Sequence, residues 1–180
     1  MSRSRRLFSR RIRYWRSRPA WVVFVLLLLL AIRLWQDYSI PDPPEALPEG
    51  IYQVERVVDG DTLLLANQAK VRLWGADTPE TVHPRKPVEP FGPEASDFTE
   101  QFIATGGGTV RLQMDRERLD KYDRFLAYVW VDDRMLNEEL IRAGLATAQT
   151  GYNYSQSMKS RFRRAEDEAK SSRRGIWTQQ

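Results

Sequence analysis

The chain has 180 residues, no cysteine, one histidine and a formal net charge of +4. The missing cysteines exclude a thiol nucleophile, a disulfide framework and a thiolate metal site, and the lone His83 excludes a two-histidine zinc site. A metal here would have to be held by oxygen, which favours calcium or magnesium.

The positive charge belongs to the N-terminal arm. Residues 1–48 hold nine arginines against three acids, a net +6, and residues 49–180 hold nineteen Lys and Arg against twenty-one acids, a net −2. Phosphate recognition by the globular part must therefore be local. Residues 1–19 form a basic arm with eight arginines between Arg3 and Arg18, followed by an uncharged run from Ala20 to Ile32 that extends past Arg33 to Trp35. As a helix, residues 20–35 reach about 24 Å, short of the roughly 30 Å hydrocarbon core. Arg33 can snorkel, and Trp21 and Trp35 suit the interfaces. A cleaved signal peptide would fit the short run, but no small-x-small site follows it. The expectation is an uncleaved, single-pass transmembrane signal-anchor in contact with membrane lipid, with its N-terminus cytoplasmic and the rest of the chain outside the cytoplasm. Residues 36–50, with Pro41, Pro43, Pro44 and Pro48, read as an extended linker.

The globular part, residues 51–177, opens with strands over 51–58 and 62–65 around an Asp59-Gly60-Asp61 turn, and a third strand over 69–74. His83-Pro84-Arg85-Lys86-Pro87 is a basic loop, either solvated or a phosphate-side flap. Gly92 at the cap, Pro93 at the first position and Glu94 start a helix with Ala95, Phe98, Phe102 and Ile103 on one face, and Gly106-Gly107-Gly108 stops it. Strands over 110–114 and 125–131 follow. Residues 137–143 form a short helix ended by Gly144. Ser155 caps a last helix with Met158, Phe162, Ala165 and Ala169 on one face, running to Gly175, where Ile176 and Trp177 pack back. The result is an α+β domain whose five strands close as a small barrel, with three helices.

The densest chemistry lies at Arg72-Leu73-Trp74-Gly75-Ala76-Asp77-Thr78-Pro79-Glu80. Val71 and Leu73 flank Arg72, so in a strand Arg72 points to the opposite face. Asp61 and Asp77 both stand at strand ends and can reach one rim. Two adjacent carboxylates repel unless a cation sits between them, and a hard divalent ion resolves this with the Thr78 carbonyl and water as further ligands. An EF-hand over 59–70 fails, because Leu64 stands where the turn glycine belongs and Lys70 where the bidentate Glu belongs. Arg72 and Arg124 are forked donors suited to phosphate oxygens. Glu80 is placed to position or deprotonate a water, and Lys121 and Tyr122 to reach a terminal phosphate. Singly, each has a plain structural reading: Arg72 paired with Glu80, or Arg124 exposed on a strand.

Together these residues resemble the staphylococcal nuclease (thermonuclease) family. The matching pieces are Val58-Asp59-Gly60-Asp61-Thr62, Arg72-Leu73, Asp77-Thr78-Pro79-Glu80-Thr81, His83-Pro84, Phe91-Gly92-Pro93-Glu94-Ala95-Ser96, Asp120-Lys121-Tyr122 with Arg124, Leu126-Ala127-Tyr128, Asn137-Glu138 and Gly144-Leu145-Ala146, in order across 51–177. The resemblance implies a five-stranded OB-fold and a calcium ion held by Asp61, Asp77 and the Thr78 carbonyl. It implies Arg72, Glu80 and Arg124 as catalytic residues, and hydrolysis of DNA and RNA phosphodiesters to 3′-phosphates by a monomer. There are departures. Asp123 stands where many members have glycine before the second arginine, adding negative charge beside Arg124. Of two tyrosines the staphylococcal enzyme places around the base, Tyr152 remains and Thr150 replaces the other, leaving stacking to Tyr152 or to another residue such as Tyr154. The alternative is a nuclease-like barrel that holds nucleic acid without cutting it, although such a binder has no need of Asp61, Arg72, Asp77, Glu80 and Arg124 together. A third reading is a membrane protein whose barrel binds a protein partner.

Overall fold

The structure is a computed structural model and describes residues 20–37, 42–81 and 87–178. The basic arm and the flap residues His83 to Lys86 lie outside the described residues. The chain divides into two compact units, Met1–Ile40 and Pro41–Gln180.

In the first unit, helix α1 covers Ala20–Asp37. Among the described residues no helix is long and apolar enough to cross a membrane, so the expected transmembrane span is not shown.

In the second unit the strands are β1 (Gly50–Asp59), β2 (Thr62–Leu65), β3 (Lys70–Leu73), β4 (Ala76–Asp77), β5 (Thr109–Gln113), β6 (Phe125–Val131), β7 (Arg134–Met135) and β8 (Thr147–Ala148). The helices are α2 (Gly92–Thr105), α3 (Leu136–Arg142) and α4 (Gln156–Ser171), with a final 3-10 turn at Gly175–Trp177. The large sheet runs β3-β2-β1-β5-β6-β7, and an added β3–β6 pairing closes five of its strands into an OB-fold-like barrel. Closure is parallel, with Val71 opposite Phe125 and Leu73 opposite Ala127. Strand β1 serves both halves. Its first residues pair with β5 and its last with β2, across register shifts at Val54/Arg56 and Val57/Asp59. Such bulges bend a strand and add twist, which a small barrel requires.

The alternation expected from the sequence governs packing. Val71 and Leu73 are fully buried while Arg72 turns the other way. Leu63, Leu65, Val110, Leu112 and Val129 fill the barrel, and Leu136, Leu140, Ile141 and Phe162 seat the helices on it. Asn137 is fully buried. Its Oδ1 accepts the Val129 N–H at 2.9 Å and its Nδ2 donates to the carbonyls of Trp74 (3.0 Å) and Ala127 (3.2 Å), tying α3 to two barrel strands.

Details of the ends differ from expectation. Phe91, in the left-handed region at φ 68°, is the N-cap of α2, and Gly92 is already helical. Ser155 precedes α4 but its hydroxyl pairs with Ser157 instead of capping, and α4 stops at Ser171. Packing of the domain begins upstream of residue 51. Leu47 is 2% exposed in the core, Glu49 accepts the Met114 N–H at 2.8 Å, and the Pro48 carbonyl accepts the Tyr52 hydroxyl at 2.8 Å.

Candidate active site

The site is built on one barrel rim. The β1–β2 turn carries Gly60, where an added Cβ would stand 2.7 Å from the Ala95 Cβ and 2.9 Å from the Thr78 hydroxyl, so glycine allows α2 and the chain around Thr78 to close over the turn. Thr99 donates to the Gly60 carbonyl at 2.6 Å and Thr81 donates to Asp59 at 2.7 Å, which locks that closure. Asp61 lies in this turn, 4% exposed. Its Oδ1 accepts the Thr62 hydroxyl at 3.0 Å and its Oδ2 accepts the Thr78 N–H at 2.9 Å. Arg72 comes from β3, and its two terminal nitrogens reach two acids. Nη1 pairs with Asp61 and Nη2 with Asp77 on β4. Thus Arg72 pairs with the two aspartates, and the alternative Arg72–Glu80 pair is not the arrangement adopted. Burial lowers the Arg72 pKa below its ordinary value, Asp77 opposes this, and Arg124 adds to it, so the two guanidinium groups lie within electrostatic reach of each other.

Arg124 stands just before β6. Its Nε and Nη2 both donate to Asp120 Oδ2 at 2.7 Å, and Asp120 Oδ1 accepts the N–H groups of Tyr122 (2.9 Å) and Arg124 (3.0 Å). One carboxylate therefore organises the whole turn. Asp123 sits in it at φ 58°, a left-handed conformation that aspartate tolerates better than most residues. Lys121 Nζ and the Arg124 guanidinium lie 4.9 and 5.4 Å from the Tyr122 ring centre.

A cavity of about 520 Å³ gathers Arg72, Asp77, Lys121, Tyr122, Arg124 and Tyr152. These are six of the nine expected site residues. Asp61 and Thr78 stand behind the wall, joined to it through Arg72 and the Thr78 N–H. Glu80 is outside the lining; its N–H donates to Glu89 at 3.1 Å and its carbonyl accepts the Glu89 N–H at 2.9 Å. Tyr122 and Tyr152 are 64% and 55% exposed, and the Tyr152 ring lies 5.4 Å from Trp74. Tyr154 is unsuited to stacking on a ligand. It is buried among Trp74, Tyr128 and Phe162, donates to the Gln149 carbonyl at 3.1 Å, and burial pushes its pKa up to about 12. Thr150 accepts from Arg163 at 3.3 Å.

Sequence reasoning assigned no role to Asp120, Gln149 or Trp74. Asp120 was visible four residues ahead of Arg124, in spacing alone. Gln149 carried no signal, because the β4–β8 ladder brings it from 72 positions away to donate to Asp77 at 3.2 Å.

The donor set fits a hard divalent cation. Asp61 and Asp77 converge on a single guanidinium, so both carboxylates reach one positive centre and outnumber it in charge. Among the described residues no group of three or more His, Cys, Asp or Glu side chains surrounds one point. Two carboxylates would need a backbone carbonyl and water to complete a shell, an oxygen set calcium accepts.

Comparison with known proteins agrees with this geometry. Residues 70–179 match the family described as Staphylococcal nuclease homologue. The chain is 41% identical over 133 residues to a thermonuclease of Staphylococcus hyicus, covering 72% of this chain and 77% of the relative. It is 43% identical over 129 residues to a thermonuclease of Staphylococcus intermedius, covering 70% and 75%. It is 37% identical over 129 residues to Endonuclease YncB of Bacillus subtilis (strain 168), covering 69% and 60%.

Proposed function

The chain belongs to the staphylococcal nuclease family, and from that premise we propose that it is a calcium-dependent endonuclease hydrolysing DNA and RNA phosphodiesters while attached to a membrane. The observation that carries the reading is the cavity shared by Arg72, Arg124, Asp77 and two exposed tyrosines. Two forked cations and an aromatic pair suit a phosphodiester and its base.

Asp61, Asp77 and the Thr78 carbonyl would hold the calcium ion, which supplies positive charge against the phosphate and the two carboxylates. Arg72 and Arg124 donate to the non-bridging phosphate oxygens and offset the charge that grows as a fifth oxygen adds. Glu80 positions the attacking water or takes its proton. The water oxygen bonds to phosphorus as its proton passes to Glu80, the bond to the 5′ oxygen breaks, that oxygen takes a proton from solvent water, and the phosphate stays on the 3′ side. Lys121 and Tyr122 reach a terminal phosphate, and Tyr152 offers its face to a base. The eight arginines ahead of the apolar stretch support attachment at a lipid surface; protease shaving of intact cells tests whether the barrel lies outside the cytoplasm.

The deciding experiment incubates the full chain with single-stranded DNA, and separately RNA, in calcium with and without a chelator. Calcium-dependent cutting is expected. Salt-sensitive binding without cutting overturns the enzyme and leaves a nucleic-acid module.

A further inference from the structure

The two aspartates of the candidate metal site are held very differently. Asp61 has a side chain 6% exposed and is fixed by Thr62, the Thr78 N–H and Arg72. The Asp77 side chain is 46% exposed. Its Oδ1 meets Arg72 and its Oδ2 accepts from Gln149 Nε2 at 3.2 Å. If Arg72 turns to a phosphate, the Gln149 amide is the neighbour left to orient Asp77.

Gln149 is itself well fixed. Its backbone N–H donates to the Gly75 carbonyl at 2.9 Å and its own carbonyl accepts the Tyr154 hydroxyl. The second hydrogen of its side-chain amide is directed to Thr147 Oγ1 at 3.3 Å, so both donors of the group have acceptors. Thr147 in turn pairs with Asp77 across the β4–β8 ladder. The choice of an amide matters. A Lys or Arg in this place would orient Asp77 equally well but cancel the surplus negative charge that draws a cation. A neutral donor orients the carboxylate and leaves its charge intact.

We propose that Gln149 is a positioning residue that sets the calcium affinity of the site by holding Asp77 in its ligating orientation. The proposal rests on the calcium reading above and deepens it. Partners of this kind behind a ligand typically contribute 10–100-fold to metal affinity.

The test is calorimetric titration of calcium into the full chain without nucleic acid, comparing the parent with Gln149→Leu and Gln149→Met, which keep bulk and lose the donor. Asp77→Asn is the control for loss of a ligand. The expected result is a dissociation constant raised about tenfold in both Gln149 variants, and more in Asp77→Asn. The calcium-free melting temperature should move by less than about 2 °C, which a merely structural role would not allow together with lost affinity. Calcium binding within about twofold of the parent in either folded variant overturns the inference, since the effect is set at about tenfold. A parent that binds no calcium removes the metal reading itself, and is told apart because Asp77→Asn then changes nothing.

Discussion

Two clusters in this protein each pair a buried carboxylate with arginine, and they are built to opposite ratios. At the barrel rim, Arg72 faces Asp61 and Asp77, one cation for two acids. Between α3 and α4, Glu138 is 7% exposed and meets both Arg142 and Arg161, while Arg142 also reaches Glu139 and Glu168, and Arg174 completes the set. There four arginines, with Arg134 on Glu139, meet three glutamates. Burial lowers the Arg142 pKa, but Glu138 and its neighbours outweigh it, and the value ends above the ordinary one. Arg72 ends below. A cluster between two helices whose acids are all matched has no surplus to offer a cation and reads as a fastener. A cluster with more acid than base, opening on a cavity with a second arginine, has a surplus to offer one. Burial and proximity alone do not separate structural from functional ion pairs; the charge balance and the cavity do.

The largest effects should come from breaking the rim side of this contrast. Arg124→Ala removes a donor to charge that grows during the reaction, and Glu80→Gln removes a proton acceptor. Each is expected to lower cleavage at least about 100-fold, with the melting temperature within a few degrees of the parent. Near-normal rates in either variant would remove that residue from the reaction. Glu138→Ala is the counterpart on the fastener side. It strands Arg161 and takes from Arg142 one of its three glutamates, and because both arginines are partly exposed the loss should be about 2 kcal/mol, read as a lower urea midpoint. Cleavage per folded molecule should be unaffected. A Glu138 variant that is stable but slow would dissolve the distinction between the clusters.

Much of this was legible in the sequence because it is written in local patterns. The strand at 70–73 announced itself by Val71 and Leu73 around Arg72, and α2 by Pro93 and its apolar face. The three two-residue strands β4, β7 and β8 were missed because alternation needs more residues than they have. Yet β4 and β8 set the site, since their pairing delivers Gln149 to Asp77. Tyr154 looked like a stacking residue by type and position, and only its burial shows that it belongs to the core. Leu47 was concealed among prolines, where composition suggests a free tether while a single apolar side chain reaches into the core. The apolar run at 20–32 was legible as a helix.

The smallest effect concerns a third pairing, Asp120 with Arg124, which has neither a surplus nor a closed interface. Burial raises the Asp120 pKa, but the Arg124 and Tyr122 N–H groups and the Arg124 guanidinium outweigh it and hold the carboxyl below its ordinary value. A depressed folded pKa contributes stability that is fully present above the unfolded value of about 3.9. That stability is lost as pH falls through the lower, folded value. The turn should therefore keep Arg124 aimed into the cavity throughout the neutral and mildly acidic range. Asp120→Asn keeps the shape and removes the charge, and should cost about 1 kcal/mol at pH 7. Urea midpoints of parent and variant should run parallel from pH 7 to about 5 and converge only below about 4. Convergence near neutral pH would mean that the charge of Asp120 is not what holds the turn, and that its oxygens act only as acceptors of backbone N–H groups, a role asparagine fills with one oxygen instead of two.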